Sequence, residues 1–308
     1  MKVSIVSPIY LAEKIIPELV RKIEESVSQL TNNYEIILID DRGPDNSWEK
    51  IEEQCQLNNK VIGLKLSRNF GQHNAIKAGI ENATGDVCIV MDCDLQDDPK
   101  YISDLIDSWK EGNDIVYTVK KKRKHSMFKN ITAYFFNKIF NYLTENQSSS
   151  KSRGDIGSYS LISRKVMDAF VVYNDYQFHY LMVLRWLGFS QGFVEIEHAE
   201  RFEGKSSYNF KRLFNHAMVA IIYQSDKLLK MSIYFGFLVS FISLIAIVVV
   251  IVKYLTSGFQ SGWASLVVSI TFFSGVILIA IGILGLYIGK MFQQVKGRPQ
   301  YIVDSKRN

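Results

Sequence analysis

DVCIVMDCDLQDDPKYISDLIDSWK, the stretch from Asp86 to Lys110, places an apolar run, an acidic turn and an amphipathic segment directly after one another. The apolar run predicts a buried strand over 86–92, because strands covered on both faces are almost continuously hydrophobic. Pro99 follows two aspartates and predicts the start of a helix over 99–110. Strand, turn and helix together are one unit of an α/β sheet.

The same alternation extends through the first 120 residues. Further apolar runs predict strands at 3–10, 35–41, 61–67 and 114–120, and amphipathic runs predict helices at 13–30, 47–56 and 72–82. This pattern is typical of a mostly parallel sheet, in which ligands bind outside the carboxyl ends of the strands. No glycine-rich dinucleotide motif or P-loop motif follows the first strand, which disfavours an NAD-binding fold and a P-loop fold.

The composition divides the chain into two unlike parts. Among 308 residues, 47% are hydrophobic and the formal net charge is +5, which excludes a disordered chain. Residues 1–200 carry 24 Lys and Arg against 28 Asp and Glu, whereas residues 201–308 carry 12 against 3. Three scattered cysteines indicate a reducing compartment rather than a disulfide framework. An acidic body is therefore followed by a basic and apolar part.

Two runs without charge predict membrane-spanning helices, at about 231–252 and about 263–287. Each is long enough, because about 20 helical residues cross a hydrocarbon core of about 30 Å. Lysines precede the first run and basic residues follow the second, so the positive-inside rule places the body and both termini in the cytoplasm. The predicted divisions are a body at 1–211, a juxtamembrane segment at 212–230, two spans within 231–290 and a cytoplasmic tail at 291–308.

The acidic turn contains the strongest candidate site. Asp92 and Asp94 lie two residues apart at the end of a predicted strand, so we expect both carboxylates to point to one side and Cys93 to the other. Converging carboxylates repel each other, and a hard divalent cation that also binds substrate phosphates relieves the repulsion. Gln96, at the next alternate position, adds a ligand or a hydrogen bond.

Other polar positions add weaker signals. Asp40 and Asp41 end the second strand, where an acidic side chain often accepts hydrogen bonds from a ribose. Arg201 and Lys205 flank a glycine in RFEGKSSY, which suits the binding of a diphosphate. The five histidines show no metal-ligand spacing, and we interpret them as structural. No nucleophile elbow is present, which disfavours a hydrolase.

A basic run, Lys120–Lys124, precedes an apolar stripe over 126–144. The stripe is typical either of a core helix or of an interfacial helix, and the adjacent cations favour the second, since they would meet anionic lipid headgroups. A second amphipathic stretch, at 212–230, leads into the first predicted span. Together these elements predict a body that lies against the membrane.

Seven segments spread over nearly the whole chain form a recognisable set. They are SPIY (Ser7–Tyr10) with Glu13, IILIDD (Ile36–Asp41), SRNFGQHNAIKAGIENATGD (Ser67–Asp86), MDCDLQDDPKYI (Met91–Ile102), GDI (Gly154–Ile156), RFEGKSSY (Arg201–Tyr208) and RPQYIV (Arg298–Val303). The set resembles glycosyltransferase family 2. Within that family it is similar to the polyisoprenyl-phosphate glycosyltransferases, the bacterial relatives of dolichyl-phosphate mannose synthase.

The resemblance implies a GT-A fold with a C-terminal two-helix transmembrane hairpin, and Mg²⁺ or Mn²⁺ as the cofactor. It implies inverting transfer of a sugar from a UDP- or GDP-sugar to undecaprenyl phosphate, or another polyisoprenyl phosphate, at the cytoplasmic membrane face. The product would serve the modification of cell-envelope glycans. We expect no nucleic-acid partner, and the glycines of the second span favour a homo-oligomer.

The resemblance also implies roles for individual residues. Catalytic residues would be Asp155, Asp94 and Arg201, and metal ligands Asp92, Asp94 and Gln96. The nucleotide sugar would be bound by Pro8, Tyr10, Glu13, Asp40, Asp41, Ser67, Asn69, Lys77, Asp92 and Cys93. The lipid phosphate would be bound by Lys121, Lys122, Arg123 and Lys205.

Three departures from the family pattern leave the substrates open. Leu11 stands where the family usually has Asn, Arg42 where it has Gly, and Ile156–Tyr159 where Phe-Arg-Leu is commoner. Two alternatives also remain: a family 2 enzyme that extends a glycan or uses another lipid-linked acceptor, and a membrane scaffold that binds nucleotide sugars without turnover. A processive synthase usually carries Q-x-x-R-W, whereas this chain has MVLRW, with Met182 in place of Gln.

Overall fold

The computed structural model describes residues 1–120, 155–176, 178–197, 227–257 and 262–308. The chain divides into two compact units. The first consists of Met1–Lys124, Ser150–Ser206 and Arg298–Asn308, and the second of His125–Ser149 and Ser207–Gly297.

The first unit contains an α/β sheet whose early elements follow the sequence prediction. They are β1 (Val3–Ile9), α1 (Ile16–Val27), β2 (Tyr34–Asp40), α2 (Ser47–Leu57), β3 (Val61–Leu66), α3 (Gln72–Asn82), β4 (Val87–Val90), a 3₁₀ turn (Pro99–Tyr101), α4 (Ile102–Lys110) and β5 (Ile115–Lys120). The later elements are β6 (Asp155–Ser163), α5 (Arg164–Val172), α6 (Tyr180–Leu187), β7 (Gln191–Ile196) and, after the second unit, β8 (Val303–Arg307). The bounds of α3 agree with the prediction, whereas α1 is shorter at both ends than 13–30.

The strands form one sheet in the described chain, in the order β7-β5-β6-β4-β1-β2-β3-β8. Strands β1 to β4 are parallel to one another, and β6 and β8 run antiparallel to their neighbours. Because of this reversal, the amino-terminal ends of β6 and β8 lie at the edge where β1 to β4 have their carboxyl ends. We call this edge the C-terminal edge of the sheet.

Both faces of the sheet are covered, which explains the continuous apolar runs. On β1, Ile5 packs into a core with α1, α2 and α4, and Val6 packs into a second core with α3, α5 and α6. Each of these side chains is fully buried. Burial of an aliphatic side chain contributes about 1.5–3 kcal/mol, so the central strands hold the C-terminal edge on a rigid base.

The end of the chain corrects one predicted boundary. We expected residues 291–308 to form a tail outside a domain that ends at 211, but β8 pairs with β3 and completes the sheet. The backbone N–H of Ser67 donates to the carbonyl of Ile302 at 2.9 Å. The buried side chain of Gln300 donates to the carbonyl of Asp175. An edge strand from the far end of the chain carries no local signal, so the sequence reading missed it.

The second unit contains two helices that contact each other, α7 (Lys227–Ser257) and α8 (Trp263–Val295). Both predicted helices are therefore present. Among the described residues, one segment, Phe272–Val295, is long and apolar enough to cross a membrane, and Leu229–Val239 in α7 is apolar but shorter. A two-span hairpin with both ends in the cytoplasm stays a prediction.

Candidate active site

The C-terminal edge brings together the turns that follow the central strands. Tyr10 follows β1, Asp41 follows β2, Asn69 lies in the turn after β3, and Asp92 lies in the turn after β4. Asp155 is the first residue of β6 and pairs with Lys120, the last residue of β5. These positions therefore lie at one edge of the sheet. The sequence predicted the strand ends after β1 to β4, but it did not predict β6.

The local structure of the acidic turn differs from the one predicted. We predicted a strand over 86–92, but β4 ends at Val90, so Asp92 and Asp94 lie in a turn and strand alternation does not set their direction. Leu95, in the same turn, has a left-handed backbone with φ 54°. The carboxylate of Asp94 accepts the backbone N–H of Gln96 at 3.1 Å. The turn, rather than the strand, sets the direction of these side chains.

Two hydrogen bonds hold the carboxylate of Asp92. The side-chain amide of Gln72, the first residue of α3, donates to one oxygen at 2.7 Å. The hydroxyl of Ser158, on β6, donates to the other at 2.7 Å. Burial raises the pKa of Asp92, and the charges of Asp94 and Asp97 raise it further. Several carboxylates thus lie close together at this point.

This donor set fits a divalent cation that arrives with a phosphate ligand. No group of three or more His, Cys, Asp or Glu side chains surrounds a metal position in the described ranges. Asp92 and Asp94 offer two carboxylates and Gln96 an amide oxygen, and Mg²⁺ commonly combines one or two carboxylates with waters and substrate phosphates. A cation would also offset the repulsion that Asp92 experiences from Asp94 and Asp97.

Asp41 fixes the loop that leads to Gln72. Its carboxylate accepts the backbone N–H groups of Phe70 at 2.7 Å and Gly71 at 2.9 Å. Burial raises the pKa of Asp41 to about 6. Asp40 is also buried, and it accepts the N–H of Gly43 at 3.4 Å. The two aspartates at the end of β2 therefore fix two loops at the C-terminal edge by hydrogen bonds to their backbone.

The other residues that we predicted to bind the nucleotide sugar near this edge differ in exposure. Pro8 is buried in β1, whereas Tyr10, Ser67 and Asn69 are exposed. The carboxylate of Glu13 accepts the backbone N–H of Asn46 at 3.0 Å. This bond ties the turn after β1 to the segment after β2.

Cys93 and Lys77, which we predicted to bind the nucleotide sugar, contact other parts of the protein. Cys93 packs against the core that contains α1, and burial raises the pKa of its thiol to about 12. The ammonium of Lys77 is buried, donates to the carbonyl of Tyr173 at 2.5 Å and lies 3.7 Å from the carboxylate of Glu81. Lys77 therefore ties α3 to the loop after α5 rather than pointing to the acidic turn. The predicted residues Lys121, Lys122, Arg123, Arg201 and Lys205 lie outside the described residues.

Sequence reasoning missed the residues that hold the acidic turn. Gln72 had a usable signal, because it opens a predicted helix at the edge where ligands bind. Ser158 had none, since β6 was not predicted. Lys120 was read only as part of a basic run, yet its ammonium lies 3.7 Å from the carboxylate of Asp97. This cation stands beside the acidic turn.

Strained backbone is concentrated at the same edge. Leu11, Arg42 and Leu95 are the non-glycine residues with positive φ in the described chain, at 53°, 53° and 54°, and they follow β1, β2 and β4. Such residues cost about 1–3 kcal/mol each and cluster at functional sites. The observation supports a ligand site at the C-terminal edge.

Replacing Leu11 with glycine should raise the free energy of unfolding by about 0.5–1 kcal/mol, because glycine adopts positive φ without steric cost. Leu11 is 57% exposed, so little packing is lost. The matched control is Leu57→Gly, since Leu57 is 80% exposed and ends α2 with ordinary helical geometry. That change should destabilise the protein by up to about 1 kcal/mol. Denaturant unfolding checks both, and destabilisation by Leu11→Gly would show that its backbone is unstrained.

Comparisons with known proteins show the family of the chain. Residues 4–170 match the family described as Glycosyl transferase family 2. The chain is 35% identical over 302 residues to the uncharacterized glycosyltransferase YkcC of Bacillus subtilis, covering 97% of this chain and 92% of that one. It is also 35% identical over 305 residues to an uncharacterized glycosyltransferase of Synechocystis sp., covering 98% of this chain and 95% of that one.

A solved structure shares the fold. Glucosyl-3-phosphoglycerate synthase from Mycobacterium tuberculosis, in complex with Mn²⁺, UDP and phosphoglyceric acid, aligns with a TM-score of 0.50 at 14% identity. The alignment covers 72% of this chain and 76% of that chain. This likeness agrees with the expected GT-A fold. With residues 4–170 inside the family match and full-length relatives at 35% identity, the chain is a glycosyltransferase that belongs to family 2.

Proposed function

We propose that this glycosyltransferase transfers a sugar from a UDP- or GDP-sugar to a polyisoprenyl phosphate, such as undecaprenyl phosphate, at the cytoplasmic face of the membrane. The observation that carries the donor side is the acidic turn, in which Asp92 is held by Gln72 and Ser158 beside further carboxylates. The related fold of the mycobacterial synthase, whose structure contains Mn²⁺ and UDP, supports the same choice of donor and cofactor.

The residues of this edge suit an inverting displacement. Bound by Asp92, Asp94 and Gln96, Mg²⁺ or Mn²⁺ would supply positive charge beside the donor diphosphate. An oxygen of the lipid phosphate attacks the anomeric carbon from the opposite side. One carbon–oxygen bond forms, the bond to the diphosphate oxygen breaks, and its electron pair leaves with the nucleoside diphosphate.

This reaction needs no strong base in the protein. A phosphate monoester has a second pKa of about 6, so the nucleophile is already anionic at pH 7. Positioning and charge stabilisation therefore supply most of the rate. Asp155, at the start of β6, and the cation of Lys120 stand at the same edge and are assigned to the region of the reacting centre.

The acceptor side of the proposal rests on apolar and basic sequence. The segment Phe272–Val295 is long and apolar enough to cross a bilayer, and the basic run Lys120–Lys124 would meet anionic groups at its surface. Each cation near an anionic surface contributes about 1 kcal/mol. We assign Lys121, Lys122 and Arg123 to the lipid phosphate, with Arg201 and Lys205 as further phosphate ligands.

Replacing Lys121, Lys122 and Arg123 together with serine should raise the Michaelis constant for the lipid and leave binding of the nucleotide sugar unchanged. The control removes three exposed cations elsewhere, Arg21, Lys100 and Lys110, with the same change of charge. Steady-state kinetics in membranes measures both constants. Equal lipid kinetics in the two triple variants would remove the run from the acceptor site.

A further inference from the structure

Two histidines adjoin, in sequence, residues whose hydrogen bonds lead to the acidic turn, although neither histidine has a part in the proposed displacement. His73 follows Gln72 in the first turn of α3, and Gln72 donates its amide to Asp92 at 2.7 Å. His179 directly precedes α6. The centroids of the two imidazole rings are 4.2 Å apart, with an angle of 50° between the ring planes. The pair joins the start of α3 to the start of α6.

A second set of hydrogen bonds leads from the same carboxylate to Tyr180, the residue after His179. Tyr180 is buried, and the hydroxyls of Tyr180 and Ser160 are 3.0 Å apart. Ser160 donates to the carbonyl of Ser158 at 2.9 Å, and the hydroxyl of Ser158 donates to Asp92 at 2.7 Å. One set of hydrogen bonds thus leads from Asp92 to the residue before His73, and the other leads to the residue after His179.

The first turn of α3 contains polar atoms that lack partners. In the described part of the chain, the Nδ1 of His73 and the Oδ1 of Asn74 are buried without a hydrogen-bond partner. Buried polar atoms are nearly always hydrogen-bonded, so each unpaired one calls for an explanation. A bound ligand that reaches this turn would supply the missing partner.

The chemistry of the pair indicates which ligand group it accepts. Burial and, as a smaller effect, the nearby charge of His179 lower the pKa of His73 to about 3, so the ring is neutral at pH 7. A neutral imidazole has one donor and one acceptor nitrogen, which matches a hydroxyl group. The ring of Phe178 lies 6.4 Å from that of His73. Partial burial and the charge of Arg185 lower the pKa of His179, which favours the neutral form of the second ring as well.

We propose that His73 and His179 form a subsite for the hydroxyl groups of the transferred sugar, next to the carboxylates that hold the donor diphosphate. The inference rests on the proposed function, because it places the sugar of a nucleotide sugar beside Asp92. It replaces the reading of these two histidines as purely structural. The subsite contributes to the choice of sugar and makes no contact with the nucleoside.

The test separates the sugar from the nucleotide. Dissociation constants are measured by calorimetry with Mn²⁺ for UDP and GDP, and for UDP-glucose, UDP-N-acetylglucosamine and GDP-mannose. The variants are His73→Phe and His179→Phe, which keep a pair of aromatic rings but each remove the nitrogens of one ring. His73→Asn is the rescue variant, since its amide occupies about the position of Nδ1.

We expect both phenylalanine variants to bind the preferred nucleotide sugar about tenfold more weakly, and to bind the matching nucleoside diphosphate within about twofold of the wild type. His73→Asn should recover most of the loss. Equal weakening of sugar conjugate and diphosphate, or no weakening, would overturn the subsite. His179 is exposed, so His179→Phe decides the matter even where His73→Phe does not fold.

Binding by the wild-type protein distinguishes failure of the proposed function from failure of the subsite alone. If the wild-type protein binds none of the nucleotide sugars, the proposed function fails and the subsite fails with it. If it binds one and the variants bind it equally well, the function stands and the subsite alone is wrong.

Discussion

Alanine in place of Asp92 is expected to lower the rate of sugar transfer by about a thousandfold or more while the protein stays folded. The carboxylate accepts hydrogen bonds from Gln72 and Ser158 and stands beside Asp94 and Asp97. Losing the charge that holds a metal ion removes several kcal/mol of transition-state stabilisation, and about 1.4 kcal/mol corresponds to a factor of ten in rate. Initial rates measured across a range of Mn²⁺ concentrations give the size of the effect.

Two further variants separate the charge from the fold. Asp92→Asn keeps a side chain of the same shape but not the charge, so it should lose nearly as much activity as Asp92→Ala. Asp107→Ala removes an exposed carboxylate of α4 and should be almost neutral. Melting temperatures establish that all three variants are folded. Wild-type rates for Asp92→Ala in the presence of EDTA would contradict the metal assignment.

Deleting residues 300–308 is expected to destabilise the first unit by several kcal/mol. The deletion removes β8 and its ladder with β3, the bond from Gln300 to Asp175, and the bond from Tyr301 to Glu81. Each net hydrogen bond contributes about 0.5–1.5 kcal/mol. Strand β3 would also become an unprotected sheet edge, which favours aggregation. Unfolding of the full chain in detergent, followed by fluorescence, measures the loss.

The matched control keeps the strand and removes only its exposed ion pairs. Asp304 lies 3.3 Å from the guanidinium of Arg42, and Arg307 lies 2.8 Å from the carboxylate of Glu52. Pairs of this kind contribute about 0–1 kcal/mol, so Asp304→Ala and Arg307→Ala should each have a small effect. A deletion variant as stable as these point variants would mean that residues 300–308 are a dispensable tail.

The central half of the sheet was predictable because its signals are local. Strands β1 to β4 are apolar on both faces, and the helices between them carry one apolar stripe each, so the pattern alone placed these elements along the chain. Helix α3 begins after Gly71, whose φ of 91° is a conformation that glycine adopts without strain, and its predicted bounds were right. Because ligands bind at the carboxyl ends of parallel strands, the sequence also singled out Asp41 and Asp92, which lie at the C-terminal edge.

The rest depends on long-range pairing, which a single sequence does not reveal. Strand β6 inserts antiparallel between β4 and β5, and this insertion brings Ser158 to Asp92. Strand β8 comes from the end of the chain, beyond α7 and α8, and pairs with β3. Lys77 had the right residue type at the right helix for a ligand role, yet burial and its bond to Tyr173 direct it elsewhere.

The most direct test of the account follows the label of a radioactive nucleotide sugar in membranes that contain the protein. UDP- and GDP-sugars are supplied in turn with Mn²⁺ and undecaprenyl phosphate, and the products are divided into an organic extract and an aqueous glycan fraction. We predict that one sugar enters the organic extract as a phosphate-linked lipid, and that Asp92→Ala abolishes this transfer. Label that enters only the glycan fraction, with wild-type protein and lipid present, would contradict the lipid acceptor.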